Sequence, residues 1–114
     1  MSECVFCDIV EGKIPAKIAH RDDEIVAFHD AGPQAPTHIL VVPVRHVASV
    51  GEAVEADAGL LGRMLLVCKD LAAREGVAAR GYRIVTNTGR GAGQSVFHLH
   101  FHLLGGRDMG WPPG

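Results

Sequence analysis

With 114 residues, 47% of them hydrophobic and 21% charged, the chain has the length of one domain, 1–114, and enough apolar content for its own core. A formal net charge of -2 lacks the basic footprint of a nucleic-acid binder, and no run nears the roughly 18 apolar residues that cross a bilayer, so neither nucleic acid nor membrane is an expected partner. Three cysteines, and an acidic start (Met1, Ser2, Glu3, Cys4) with no apolar leader, predict a cytoplasmic protein with reduced thiols rather than a disulfide framework.

Along the chain, Cys4–Glu11 reads as a short helical turn ended by Gly12, with Pro15 just beyond. Lys17–Arg21 and Glu24–His29 are short runs separated by Asp22-Asp23, the pattern of a hairpin. Gly32, Pro33 and Pro36 make Asp30–Thr37 a rigid loop, and the β-branched stretch Thr37–Pro43 reads as a buried strand. One long helix is expected from about Ala56 to Glu75. Leu60, Leu61, Met64, Leu65, Cys68, Leu71 and Ala72 form its apolar face, and Arg63, Asp70 and Arg74 its solvated one. Asp57 suits the positive end of its dipole, and Gly76 can close it. Tyr82–Asn87 is a further strand, followed by a glycine-rich connection through Gly89, Gly91 and Gly93.

The anomaly is Val96–Leu104, which alternates almost without fault. On a strand, Phe97, Leu99, Phe101 and Leu103 share one face and His98, His100 and His102 the other. The apolar row suits the stripe of the long helix. The predicted fold is therefore α+β, a mainly antiparallel sheet of about five strands with one long helix packed on one face. A lone histidine is usually structural, but three at i, i+2 and i+4 are costly as mere packing, since each needs a hydrogen-bond partner when buried. Two chemistries suit them: a metal site, or phosphate chemistry with one imidazole as nucleophile and a neighbour as donor. The preceding glycine loop, with Gln94 and Ser95 after it, favours the second, because its backbone can approach an anion closely.

Gln94-Ser95-Val96-Phe97-His98-Leu99-His100-Phe101-His102-Leu103-Leu104 resembles the signature of the histidine triad (HIT) superfamily. The likeness covers almost the whole chain, through Ile14-Pro15-Ala16-Lys17, Phe28-His29-Asp30, Pro33-Gln34-Ala35-Pro36-Thr37-His38, Gly81-Tyr82-Arg83, Asn87 and Gly93-Gln94-Ser95. The terminal Trp111-Pro112-Pro113-Gly114 is similar to the tail of the Hint branch, the histidine triad nucleotide-binding proteins. The resemblance implies a purine nucleoside phosphoramidase, a hydrolase that cleaves a P–N bond by double displacement to give a nucleoside monophosphate such as AMP.

By the same match, His100 is the nucleophile and His102 a donor to the phosphate oxygens. Ser95 with His38 is the candidate relay to the leaving amine, and Gly93, Gln94 and Ser95 are phosphate contacts. Asp30 would hold the ribose hydroxyls, Phe28, Ile9 and Ile25 would wall the base pocket, and Asn87 is a further contact. Read alone, Asp30 is a turn residue and Asn87 a strand end. The implied chemistry needs no cofactor.

Cys4 and Cys7 form a Cys-x-x-Cys pair: a redox motif, half of a zinc site, or an accident. The βαβ setting of a redox pair is absent, and His46 and His98 are the best candidates to complete a zinc site. Many bacterial histidine triad proteins carry such a Cys₂His₂ site, which implies structural zinc at Cys4, Cys7, His46 and His98. His20 reads as surface, and His29 as either ribose pocket or packing. Hint proteins are homodimers, and a tail carrying Trp111 is hard to explain in a monomer. The rivals are a dinucleoside polyphosphate hydrolase or nucleotidyltransferase of the same superfamily, a nucleotide-binding regulator or scaffold, and a histidine metal enzyme.

Overall fold

The computed structural model describes residues 3–114; Met1 and Ser2, part of the acidic start read above, lie outside the described residues. Helix α1 (Val5–Val10) is capped by Cys4, whose sulfur accepts the Cys7 N–H at 3.3 Å. Strands β1 (Ile18–Arg21) and β2 (Ile25–His29) form the expected hairpin. Its turn is set by Asp22, whose Oδ1 accepts from the Glu24 and Ile25 amides at 2.8 and 2.9 Å. Strand β3 (Thr37–Pro43) pairs with β2. Two single 3₁₀ turns lead into helix α2 (Ala58–Arg74), then β4 (Tyr82–Val85) and β5 (Phe101–Gly105). The sheet runs β1-β2-β3-β5-β4 with every pair antiparallel, and the long helix covers one face, as predicted.

Alternation sorts the central strands between two cores. Ile25, Ala27, Ile39, Val41, Phe101 and Leu103 face α2, which packs Leu60, Met64, Val67, Cys68, Leu71 and Ala72 against them. Val26, Phe28, Leu40 and Val42 point the other way, onto Phe6 and Ile9 of α1. Strands β2 and β3 are thus buried on both faces, which is why they read as unbroken apolar runs. Among the described residues, no helix is long and apolar enough to cross a membrane.

Three expectations change. Leu65 is 46% exposed, because its position falls off the stripe and Val67 takes the inward place. Arg63 and Arg74 do more than face solvent. Arg63 pairs with Glu24 at 2.6 Å and Arg74 donates to the Ala19 carbonyl, so both tie α2 to the hairpin. Finally, the strand expected over Val96–Leu104 is laddered only from Phe101. Its neighbours end first, β3 at Pro43, which has no N–H, and β4 at Val85. The Leu99 amide instead donates to the Val47 carbonyl at 2.6 Å, and the Thr86 hydroxyl to that of His100 at 2.8 Å. Side-chain alternation survives back to His98 and fails at Phe97, which is 40% exposed with the Arg90 guanidinium 5.7 Å over its ring.

Candidate active site and metal centre

The three histidines line the sheet face opposite α2, and each has a ring nitrogen with a defined partner. His100 Nδ1 donates to the His98 carbonyl at 2.6 Å, and His98 Nε2 donates to the Pro43 carbonyl at 2.8 Å. A carbonyl only accepts, so each of these bonds fixes a ring proton and leaves a lone pair on the other nitrogen. The lone pair is on Nε2 in His100 and on Nδ1 in His98. His102 Nδ1 lies 2.9 Å from His38 Nε2, which in turn lies 3.5 Å from Asp30 Oδ2.

Burial dominates the electrostatics. It lowers His100 from its ordinary value, against the opposing His98 carbonyl and Asp30. It lowers His98 likewise, against the Pro43 carbonyl and with help from His46 and His100. His102 falls to about 4, through burial first and then the neighbouring His100 and His38. His38 is lowered by burial and partly restored by Asp30. At neutral pH the row is therefore a set of neutral imidazoles, the state a nucleophile and a hydrogen-bond donor need.

His38, His102 and Asn87 share a cavity of about 430 Å³ with Arg83, Val85 and the tail residues Pro112–Gly114. Ser95 lies elsewhere, in a groove with Cys4, His46 and Phe97. The His38 nitrogens face His102 and the Gln34 amide rather than Ser95. The amides of Gly93 and Gln94 donate within their own turn, to the Arg90 and Gly89 carbonyls at 3.0 and 3.1 Å. The Gln94 side chain is buried and bonds the Gly89 amide and the Ala48 and Val96 carbonyls, so it shapes the glycine loop.

Phe28 and Ile9 lie on the histidine side of the sheet, but Ile25 faces α2 and cannot wall a pocket there. His29 pairs with Ile39 and so also lies on the α2 side, away from the histidine row. Phe6 was not foreseen: its ring stands edge-on to His100, centroids 5.0 Å apart, and packs on Phe28 at 5.3 Å. Its helical spacing to Ile9 was the available signal. Asp30 holds the loop after β2 through its Oδ1, which accepts the Gly32 amide at 2.7 Å.

A second cluster forms where α1 meets His98. Cys4, Cys7, His46 and His98 present donor atoms all within 4.8 Å of one another. The Nδ1 atoms of His46 and His98 stand 3.2 Å apart, and Cys4 Sγ lies 3.3 Å from His98 Nδ1. Burial, then the neighbouring Cys4, pushes the Cys7 thiol up to about 11. Two sulfurs and two imidazole nitrogens converging with one lone pair already aimed inward suit a cation, so these residues fit a metal of tetrahedral preference.

Comparisons with known proteins agree with this geometry. The HIT domain family matches residues 11–109. An uncharacterized HIT-like protein of Synechococcus elongatus is 51% identical over the full length of both chains. The crystal structure of a HIT family hydrolase from Legionella pneumophila superposes with a TM-score of 0.96 at 48% identity, over 98% of this chain and 100% of that one. A HIT family hydrolase from Clostridium thermocellum gives 0.93 at 44% identity, over 96% of each.

Proposed function

The chain belongs to the HIT domain family, and on that premise we propose that it is a hydrolase of purine nucleoside 5′-phosphoramidates, cleaving the P–N bond to release the nucleoside monophosphate. The observation that carries the reading is the His100 Nδ1–H donated to the His98 carbonyl, which leaves Nε2 as an uncharged nucleophile in a neutral site. Nε2 attacks phosphorus, a P–Nε2 bond forms and the P–N bond of the substrate breaks. The amine leaves with a proton, whose delivery we assign to Ser95, replenished from water. The nucleotidyl-imidazolium keeps its Nδ1–H on the His98 carbonyl, which stabilises the charge. His102 donates to the phosphoryl oxygens. Water then attacks phosphorus, releases a proton to solvent, and frees the monophosphate and neutral His100. Asp30, beside this row, suits the ribose hydroxyls, and Asn87 a phosphate oxygen.

We assign zinc to Cys4, Cys7, His46 and His98. It supplies structure there, tying the N-terminal segment to the catalytic row, since four protein ligands leave no position for water. The reduced thiols of such a site suit a cytoplasmic setting. The working assembly in this reading is a homodimer. An 84% exposed Trp111, the open edge strand β4 and exposed Leu65 and Leu66 on α2 all support it.

The test is intact-protein mass spectrometry after a rapid, acid-free quench with an adenosine phosphoramidate, on wild type and His100→Ala. The expected result is an adduct of one nucleoside monophosphate on wild type alone. Equal turnover in both proteins overturns the mechanism. Faster turnover of a dinucleoside polyphosphate than of the phosphoramidate overturns the substrate class. Binding without turnover of either leaves a nucleotide-binding module.

A further inference from the structure

The loop between β2 and β3 is tied together at Gln34. Its backbone N–H donates to His38 Nδ1 at 3.0 Å, its carbonyl accepts from Arg107 Nε at 2.9 Å, and its side-chain amide donates to the Gly32 carbonyl at 3.0 Å. Arg107 is held in turn by its own bond to the Asp108 carbonyl at 3.1 Å. Three groups of one surface residue are thus engaged, and the one directed inward meets a histidine.

We infer that Gln34 is a positioning residue that sets the tautomer of His102 through His38. The argument follows the protons. A backbone N–H only donates, so His38 Nδ1 must carry a lone pair, and the neutral ring must carry its proton on Nε2. That proton has two acceptors within reach, His102 Nδ1 at 2.9 Å and Asp30 Oδ2 at 3.5 Å, and the nearer takes it. His102 therefore accepts at Nδ1 and holds its own proton on Nε2, as a donor to an anion beside His100. Were the Gln34 amide absent, His38 could carry its proton on Nδ1. His102 Nδ1 would then become the donor and its Nε2 would turn a lone pair toward the phosphoryl oxygens, which repels them. Arg107 and the Gly32 tie keep the amide in place.

One consequence concerns metals. Asp30, His38 and His102 also present donor atoms within 4.8 Å of one another. A cation on His38 Nε2 would have to displace the only proton of that ring, because Nδ1 already accepts from Gln34. The loop thus favours a hydrogen-bonded chain over a second metal site.

This inference rests on the proposed role of His102, but its test reads the rings themselves. Long-range ¹H–¹⁵N correlation spectra distinguish a protonated ring nitrogen from a bare one in wild type, Gln34→Pro and Gln34→Ala. In wild type at neutral pH, both His38 and His102 should carry the proton on Nε2. Gln34→Ala keeps the amide and should retain that pattern. Gln34→Pro removes it and should shift both rings toward Nδ1–H, with kcat on the phosphoramidate falling at least about tenfold and KM little changed. A wild-type His102 protonated on Nδ1 overturns the inference, as do unchanged rings in a folded Gln34→Pro. If Gln34→Pro does not fold, the wild-type spectrum decides. Failure of the proposed activity would appear separately, as wild-type rings in the expected state with no phosphoramidate turnover.

Discussion

His98 and His100 are joined through one backbone carbonyl: the oxygen of His98 accepts the Nδ1–H of His100 at 2.6 Å, while the ring of His98 reaches Cys4 at 3.3 Å on the other side. One residue thus belongs to both clusters, by its main chain to the proposed nucleophile and by its side chain to the proposed metal ligands. Its ring is further anchored to the Pro43 carbonyl, at the end of the buried strand β3. The His100 ring is oriented by backbone, which no side-chain substitution removes cleanly.

The first prediction concerns that nucleophile. His100→Ala should lower kcat by about a thousandfold or more, since His98 turns its Nδ1 to Cys4 and His102 turns its Nδ1 to His38. Affinity for a nucleoside monophosphate should stay within about threefold, because removing the ring leaves Asp30 and His102 in place. Steady-state kinetics and calorimetric titration together check this. A matching loss of affinity and turnover would make His100 a binding group instead.

The second concerns the proposed metal ligands. Cys7→Ser, or removal of the metal by a chelator, should lower stability by about 2 kcal/mol or more, roughly 8 °C in Tm at this chain length. It should also lower kcat at temperatures where the protein stays folded, because the His98 carbonyl loses one of its restraints. One zinc per chain by elemental analysis, together with those melting curves, is the measurement. An unchanged Tm would argue that the Cys-x-x-Cys pair is incidental.

Much of this was legible in the chain. Strand β3 spans Thr37–Pro43, as its β-branched stretch predicted, and the alternation from His98 to Leu104 placed the imidazoles on the face away from α2. The resemblance to histidine triad proteins joined the cysteine pair to His46 and His98, and the four residues do converge. What was illegible depended on main-chain partners. Nothing in the pattern shows that the end of β3 at Pro43 leaves Val96–His100 without a ladder, or that the Gln34 amide meets His38. Nor does the motif show that the His38 nitrogens face His102 and the Gln34 amide, since it names residues but not the backbone groups beside them. Ile25 was misplaced because two strands buried on both faces give no sign of which side is which.

The third prediction is a pH dependence of stability. His102 titrates at about 4 in the fold against an ordinary 6.5, and His38, His98 and His100 are shifted the same way by burial. As pH falls below about 6.5, the unfolded chain binds protons that the folded chain excludes. Stability should therefore be level above pH 6.5 and decline as pH falls toward 4. For the half-exposed His102 the loss is about 1–2 kcal/mol after allowance for solvent screening. His102→Gln should flatten part of the decline in urea titrations run across that range. The same slope in wild type and variant would place the acid sensitivity elsewhere.

The fourth separates two neighbouring glycines at the end of β5. A Cβ on Gly105 would lie 2.8 Å from the nearest atom of Val77, so Gly105→Ala must displace a side chain buried in the α2 core. That overpacking should cost about 1–3 kcal/mol. A Cβ on Gly106 would lie 2.9 Å from Pro36, and the residue has φ +89°, so Gly106→Ala adds backbone strain to a collision with a rigid ring. Its cost should be larger, about 2–4 kcal/mol. The two should also differ in kind. Gly105 abuts the helix side, whereas Gly106 presses on the loop that carries Gln34 and stands beside Arg107, which clamps it. Under conditions where both variants are fully folded, Gly106→Ala should therefore lose more kcat than Gly105→Ala. Urea midpoints with matched kinetics would check this, and equal kcat values in the two variants would show that the Pro36 contact supports the fold without holding the His38 side of the site.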